Sequence, residues 1–207
     1  MDGRQIKTRA AILGACVSLI QEKDFQKMTV HEIVQATDIN RGTFYLHFED
    51  KYDMMNSFEI EMIGKIEKVI VDNLPKELSN EHFLESRYET IVQILNCYDE
   101  NKGLLQFLLK SNYSSFQEKL GAKQKLLFNE VIFPELGKSE FEFPIDLFTI
   151  IFTSISLSVA EYTYQSKTPI NIEQSANLLF NILLNGPAKT FGLLPDQGSD
   201  AGSLGDI

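Results

Sequence analysis

The stretch INRGTFYLHFEDKYDM, Ile39 to Met54, sets a glycine, three aromatic residues and a histidine between two helix-capping residues, Asn40 and Asp50. At about 100° per residue, Phe44 and Phe48 share one face of a helix, while Gly42 and Leu46 point to the opposite side. The first face is built for burial. The second offers bare backbone at Gly42, flanked by Thr43 and Tyr45 with Leu46 at its centre, a layout suited to close approach of a partner. That is recognition chemistry rather than catalysis. The three histidines, His31, His47 and His82, are scattered. The chain has no HExxH, GxSxG, Walker A or GxGxxG, and its acidic residues are expected on solvated helix faces rather than paired in a cluster. No enzyme activity, no cofactor and no metal site are expected.

At 207 residues and 43% hydrophobic content the chain can bury a sizeable core. Cys16 and Cys97 lack CxxC or metal-ligand spacing and are expected as buried free thiols. The N-terminus has no signal-peptide pattern. The most apolar run, Leu147 to Ala160, falls short of the ~20 residues of a membrane span, so no membrane association and a cytoplasmic location are expected. A net charge of −10 at first speaks against nucleic acid, but it is segregated: Met1 to Met55 holds seven basic and eight acidic residues, net −1, and the other −9 lies beyond. A near-neutral segment with grouped basic residues can bind phosphates while an acidic body limits non-specific sticking.

The periodicity is helical almost throughout, with no strand ladder and no repeat. Ile6, Ala10, Leu13, Cys16, Val17 and Ile20 define a first helix ending near Lys23 and Asp24. Thr29 and Glu32 form a capping box, with Met28 and Ile33 as the hydrophobic staple, and start a second helix ending around Ala36. Thr37-Asp38-Ile39 leaves a tight turn before Asn40 caps a third, and Asp50 caps a fourth that carries Met55, Phe58, Met62, Ile66 and Val69 on one stripe and ends before Pro75. Further helices are expected over Glu81 to Tyr98, Gly103 to Lys110, Ser115 to Phe133, Ile145 to Gln165 and Ile172 to Asn185, the last closed by Gly186-Pro187. The tail from Pro195 is small, polar and acidic, with the composition of a disordered segment.

A helix, a three-residue turn and a second helix, from Thr29 to Phe48, make the geometry that holds a helix in the DNA major groove. Thr29, the run Ala36-Thr-Asp-Ile-Asn-Arg-Gly-Thr-Phe-Tyr-Leu-His-Phe and Asp50-Lys51 resemble the DNA-binding signature of the TetR family of transcriptional regulators. The resemblance covers about the first quarter of the chain. It departs at Asp38, where glycine is common, and Asp tolerates the left-handed conformation of a tight turn. The resemblance implies an all-α fold: a helix-turn-helix DNA-binding domain over 1–50, a helical ligand-binding and dimerisation domain over 51–194, and a tail over 195–207. It assigns phosphate contacts to Thr29, Tyr45, His47 and Lys51, base-edge contacts to Arg41 and Thr43, and close backbone approach to Gly42. Leu46 is either an exposed residue without a role or a contact to a thymine methyl.

GLLQFLLKSNYSSFQEKL, Gly103 to Leu120, resembles the C-terminal domain of the TetR subgroup that includes regulators of dihydroxyacetone kinase genes; an ordinary core helix followed by a capped one explains its apolar spacing equally well. The implied function is a repressor that binds a palindromic double-stranded DNA operator as a homodimer through the last two long helices. Any small-molecule inducer is expected among the helices between Glu81 and Phe152, in an apolar pocket lined by aromatics. The rival is a co-regulator that keeps the fold but acts through a protein partner.

Overall fold

In the computed structural model, which describes residues 3–73, 80–132, 144–165 and 170–193, every regular element is a helix. α1 spans Gly3–Leu19, α2 Val30–Thr37, α3 Arg41–Tyr45 and α4 Lys51–Asp72. They are followed by α5, Asn80–Glu100, α6, Lys102–Lys110, α7, Phe116–Leu127, α8, Ile145–Gln165, and α9, Ile172–Thr190. The architecture is the expected one, a helix-turn-helix followed by a larger helical body. The Pro75 stop of α4, Phe133 and the tail from Pro195 lie outside the described residues.

Short-range polar chemistry sets the starts. The Thr29 hydroxyl accepts from the Glu32 amide at 3.2 Å, and Glu32 Oε2 accepts from the Thr29 amide at 2.9 Å, closing the expected capping box. Asn40 Oδ1 accepts from the Thr43 amide at 2.7 Å, and Asp50 Oδ1 from the amides of Tyr52 and Asp53 at 2.7 and 2.8 Å. Asp38 ends α2 at φ 54°, ψ 29°, the left-handed conformation its short polar side chain tolerates. Gly186, at φ 73° and ψ 161°, leaves the helical conformation inside α9, so the regular part of that helix stops where expected and Pro187 opens one final turn.

Two ends differ from expectation. α1 stops at Leu19, and a turn leads to a 3-10 turn over Phe25–Lys27. The segment QEKD has good helix formers, but Phe25 is drawn into the core, where its ring stacks on Tyr113 at 5.5 Å and meets Phe107 edge-on at 6.1 Å. α7 gives way after Leu127 to a π-helical turn over Phe128–Ile132.

α1 packs on α2 and α6, α4 on α5, α6 and α7, α7 on α8, and α9 on α5 and α8. One apolar cluster runs through all of them, from Ile12 and Phe44 through Met62 and Phe107 to Leu157 and Leu179. Cys16 and Cys97 are free and buried, and burial pushes the Cys16 thiol up to about 12. The acidic residues do not all follow solvated faces. Glu59 on α4 is only 2% exposed. Its Oε1 accepts from the Ser114 hydroxyl at 2.8 Å and the Ser115 amide at 2.7 Å, while Oε2 accepts from the Ser115 hydroxyl at 3.2 Å and Lys119 Nζ at 2.5 Å. This carboxylate fastens α4 to the connection between α6 and α7.

Candidate nucleic-acid interface

α3 is only five residues long, too short to be stable by its own hydrogen bonds, so packing has to hold it. Phe44 and Phe48 do this. Both are buried, their rings are 5.5 Å apart, and Phe48 continues to Phe58 of α4 at 5.7 Å. The Arg9 guanidinium of α1 lies over Phe48 and Phe58, at 4.9 and 5.4 Å from their centroids, and donates to Ser57 Oγ and Glu61 Oε2, both at 3.1 Å. α1 and α4 thus fix the buried side of α3 through Phe48.

The opposite face is open. Arg41, Gly42, Tyr45 and Leu46 are exposed, Tyr45 by 48% and Leu46 by 84%. Arg41 and Tyr45 stand four residues apart on one side, with an Arg41 Nη2 to Tyr45 Oη distance of 3.4 Å. The Tyr45 ring rests edge-on against Phe44 at 5.6 Å, which leaves its hydroxyl outward. His47 is half-buried beside Phe48, and the exposed Thr29 lies at the entry to α2.

The Thr43 hydroxyl donates to Asn40 Oδ1 at 3.1 Å and keeps its lone pairs for other partners. Gly42 has a reason internal to the fold: a Cβ there would stand 3.2 Å from Asn40 Oδ1, pressing on the oxygen that caps α3. Glu32 is held at a pKa of about 2, chiefly by its bond to Lys23 and then by those to Thr29, so the α2 cap stays ionised.

Lys51 sits differently from expectation. Its Nζ donates to three main-chain carbonyls, Gln26 at 2.7 Å, Met28 at 2.9 Å and Phe25 at 3.1 Å, and lies 5.1 Å from the ring centroids of both Phe25 and Tyr52. An ammonium group has three hydrogens, and all three are used within the protein, which leaves none for a phosphate. Burial pulls its pKa down, against the opposing pull of Asp50 and Glu32. The residue ties the turn before Thr29 to the first turn of α4 and so fixes the angle at which α2 and α3 are presented. Sequence reasoning missed this because main-chain acceptors carry no residue signature.

Among the described residues no group of three or more His, Cys, Asp or Glu could hold a metal ion, and no helix is long and apolar enough to cross a membrane.

Residues 12–58 match the family described as bacterial regulatory proteins, tetR family. The chain is 28% identical over 109 residues to an uncharacterised HTH-type transcriptional regulator, YxbF, of Bacillus subtilis (strain 168), a match covering 52% of this chain and only 28% of that protein's length. It is 21% identical over 185 residues to the HTH-type transcriptional repressor KstR2 of Rhodococcus jostii (strain RHA1), covering 87% and 91% of the two chains. Among solved structures it resembles a TetR family transcription regulator from Marinobacter aquaeolei VT8, with a TM-score of 0.61, 18% identity and coverage of 87% and 97%. That likeness is one of fold.

Proposed function

We propose that this chain, with its tetR-family match over residues 12–58, is a DNA-binding transcriptional regulator that acts as a ligand-responsive repressor on a palindromic operator. The observation that carries this reading is the exposed α3 face, Arg41, Gly42, Tyr45 and Leu46, on a helix whose other side is fixed by Phe44 and Phe48. Arg41 and Thr43 read base edges, Leu46 meets a thymine methyl, Gly42 admits the phosphodiester chain, and Thr29, Tyr45 and His47 contact phosphates. Lys51 belongs to this interface as the residue that positions it.

The test is binding to duplexes from the chain's own upstream region, and to scrambled duplexes, over a salt series. Affinity should fall steeply with salt as phosphate contacts release counterions. A salt-independent or absent interaction would favour the co-regulator reading. Arg41→Ala should cost ~1–3 kcal/mol at one operator position and relax the preference there, whereas Tyr45→Phe should weaken operator and scrambled DNA alike. Equal losses on both duplexes for Arg41→Ala would refute its role as a base reader.

Two such helices in one molecule require a dimer, for which α8 supplies the surface. Leu147, Phe148, Ile150 and Ile151 all stand exposed on it, with Leu184 exposed on α9. Apolar side chains on adjacent turns of two neighbouring helices support an isologous four-helix contact with the same helices of a second copy. Sedimentation at micromolar concentration should give a dimer, and Ile150→Glu a monomer; a wild-type monomer refutes this interface. The dimer places operator half-sites about one helical turn, or a multiple, apart. The finer assignment to the dihydroxyacetone kinase regulator subgroup rests on Gly103 to Leu120, the segment that forms most of α6, the loop holding Glu59 and the start of α7.

A further inference from the structure

A cleft of about 390 Å³ lies where α6 passes into α7. Its apolar lining comes from the end of α6 and from Phe116. Its polar lining is Ser111, Asn112, Ser114 and Ser115 of the connection, with Gln117 and Glu118 of the first turn of α7. The volume suits a small molecule, and what the polar groups still have to offer decides which kind. Among the described residues, no side-chain hydrogen bond or ion pair engages Asn112, Gln117 or Glu118. Ser111 is buried; its oxygen accepts from the Tyr113 amide at 3.4 Å, and its hydrogen has no acceptor among the described residues. Two carboxamides and a hydroxyl both donate and accept, which matches them to hydroxyl groups. The Glu118 carboxylate only accepts. Its neighbour Lys119 is directed at Glu59 and Asn56, at 2.5 and 2.8 Å, which leaves Glu118 open to a cation from outside.

The two remaining serines tie the cleft to the rest of the fold. The hydroxyl hydrogens of Ser114 and Ser115 both go to Glu59 of α4. Tyr113, which lies in the same connection, does not line the cleft. Its ring stacks on Phe25 at 5.5 Å and lies 4.8 Å from that of Tyr52, and the Phe25 carbonyl is one of the three that hold Lys51. One five-residue connection thus borders the cleft, latches α4 and packs on the residues that set the angle of α2 and α3.

We propose that this cleft binds a small polyhydroxylated ammonium compound, its cation on Glu118 and its hydroxyls on Ser111, Asn112 and Gln117. Oxygens of the ligand also take the hydrogens of Ser114 and Ser115, which leaves Glu59 with fewer donors and shifts Tyr113 on Phe25 and Tyr52. As a regulatory site this rests on the regulator reading above; as a binding site it does not.

Glucamine is the probe, with sorbitol and gluconate as controls; the three share one polyol chain and end in an ammonium, a hydroxyl and a carboxylate. Binding to the full chain is measured by calorimetry, and duplex affinity is measured in the same samples at matched ionic strength. Glucamine should bind ~5-fold more tightly than sorbitol, the effect of one part-exposed ion pair, and gluconate more weakly than either. Glu118→Gln, a change at an exposed position, should remove the difference between glucamine and sorbitol. Asn112→Ala, also exposed, should weaken both by about the same factor, ~5-fold. Saturating glucamine should lower the duplex affinity of the wild type at least ~5-fold. No glucamine binding by the wild type overturns the site. So does a preference that survives in Glu118→Gln, the result of general attraction of a cation to a chain of net charge −10. An Asn112→Ala protein that binds both compounds as the wild type does overturns the polyol assignment. Glucamine bound with duplex affinity unmoved overturns the regulatory role alone, and failure of every sample to bind duplex overturns the regulator reading while calorimetry still decides the site.

Discussion

Glu59→Ala is expected to destabilise the folded chain by ~2–4 kcal/mol. The substitution removes one acceptor group and leaves four donors, Ser114 Oγ, Ser115 N, Ser115 Oγ and Lys119 Nζ, to find replacements. Lys119 can turn to water, since its side chain is part-exposed, which keeps the loss below that of a fully enclosed ion pair. The Ser115 amide has less freedom, because its position is set by the start of α7. Denaturant unfolding of wild type, Glu59→Ala and Glu59→Gln measures the effect, with Glu59→Gln intermediate because its carbonyl can still accept from Ser114 and Ser115.

The same carboxylate sets a pH dependence. Burial alone would raise the Glu59 pKa, but the bonds from Lys119, Ser114 and the Ser115 amide outweigh it and hold the value below the usual carboxylate range. A folded-state pKa below the unfolded one contributes stability that is fully present above the unfolded value, about 4.3, and is lost as pH falls through the folded value. The stability gap between wild type and Glu59→Gln should therefore be constant near neutrality and close on acidification below about pH 4. A gap that widens in acid, or a Glu59→Ala loss under ~1 kcal/mol, would contradict this account of the latch.

Lys51→Ala is expected to cost about 2–3 kcal/mol, since three charge-assisted hydrogen bonds disappear and the carbonyls of Phe25, Gln26 and Met28 lose their shared donor. DNA binding should weaken on every sequence because α2 and α3 lose their set angle. Measured at a temperature where the variant is folded, however, the slope of affinity against salt should match wild type, as no phosphate contact has been removed. A slope shallower by about one unit would return Lys51 to the phosphate role that family resemblance implies. Lys51→Arg is the useful companion, because a planar guanidinium retains the charge but cannot aim three hydrogens at three carbonyls around one point.

These two residues mark where sequence reading stops. The caps at Thr29, Asn40 and Asp50 were legible because donor and acceptor lie within three residues of each other, and that proximity is written in the chain. The buried stripe of α4 was legible from its apolar spacing, Met55, Phe58, Met62 and Ile66. Glu59 lies on the same helix, but its partners are 55 to 60 residues away, so nothing nearby distinguishes it from a solvated glutamate. Lys51 looked like a free surface cation because its acceptors are main-chain atoms 23 to 26 residues back. The end of α1 was misplaced for a similar reason: Phe25 is captured by Phe107 and Tyr113, a tertiary event with no local trace. The α3 surface was foreseen from the opposition of Phe44 and Phe48 to Gly42 and Leu46.

The apolar cluster that joins Ile12 and Phe44 to Leu157 and Leu179 without interruption has a consequence for signalling. Wherever opening α3 requires that shared core to loosen, the free energy is drawn from the same reservoir as that needed to loosen α8. A molecule bound in the body deepens that reservoir for every opening that disrupts its site, and amide exchange at α3 through such openings should slow even if no backbone atom there is displaced. In this fold a message can travel as a change in how often the head comes undone, with no lever required to carry it.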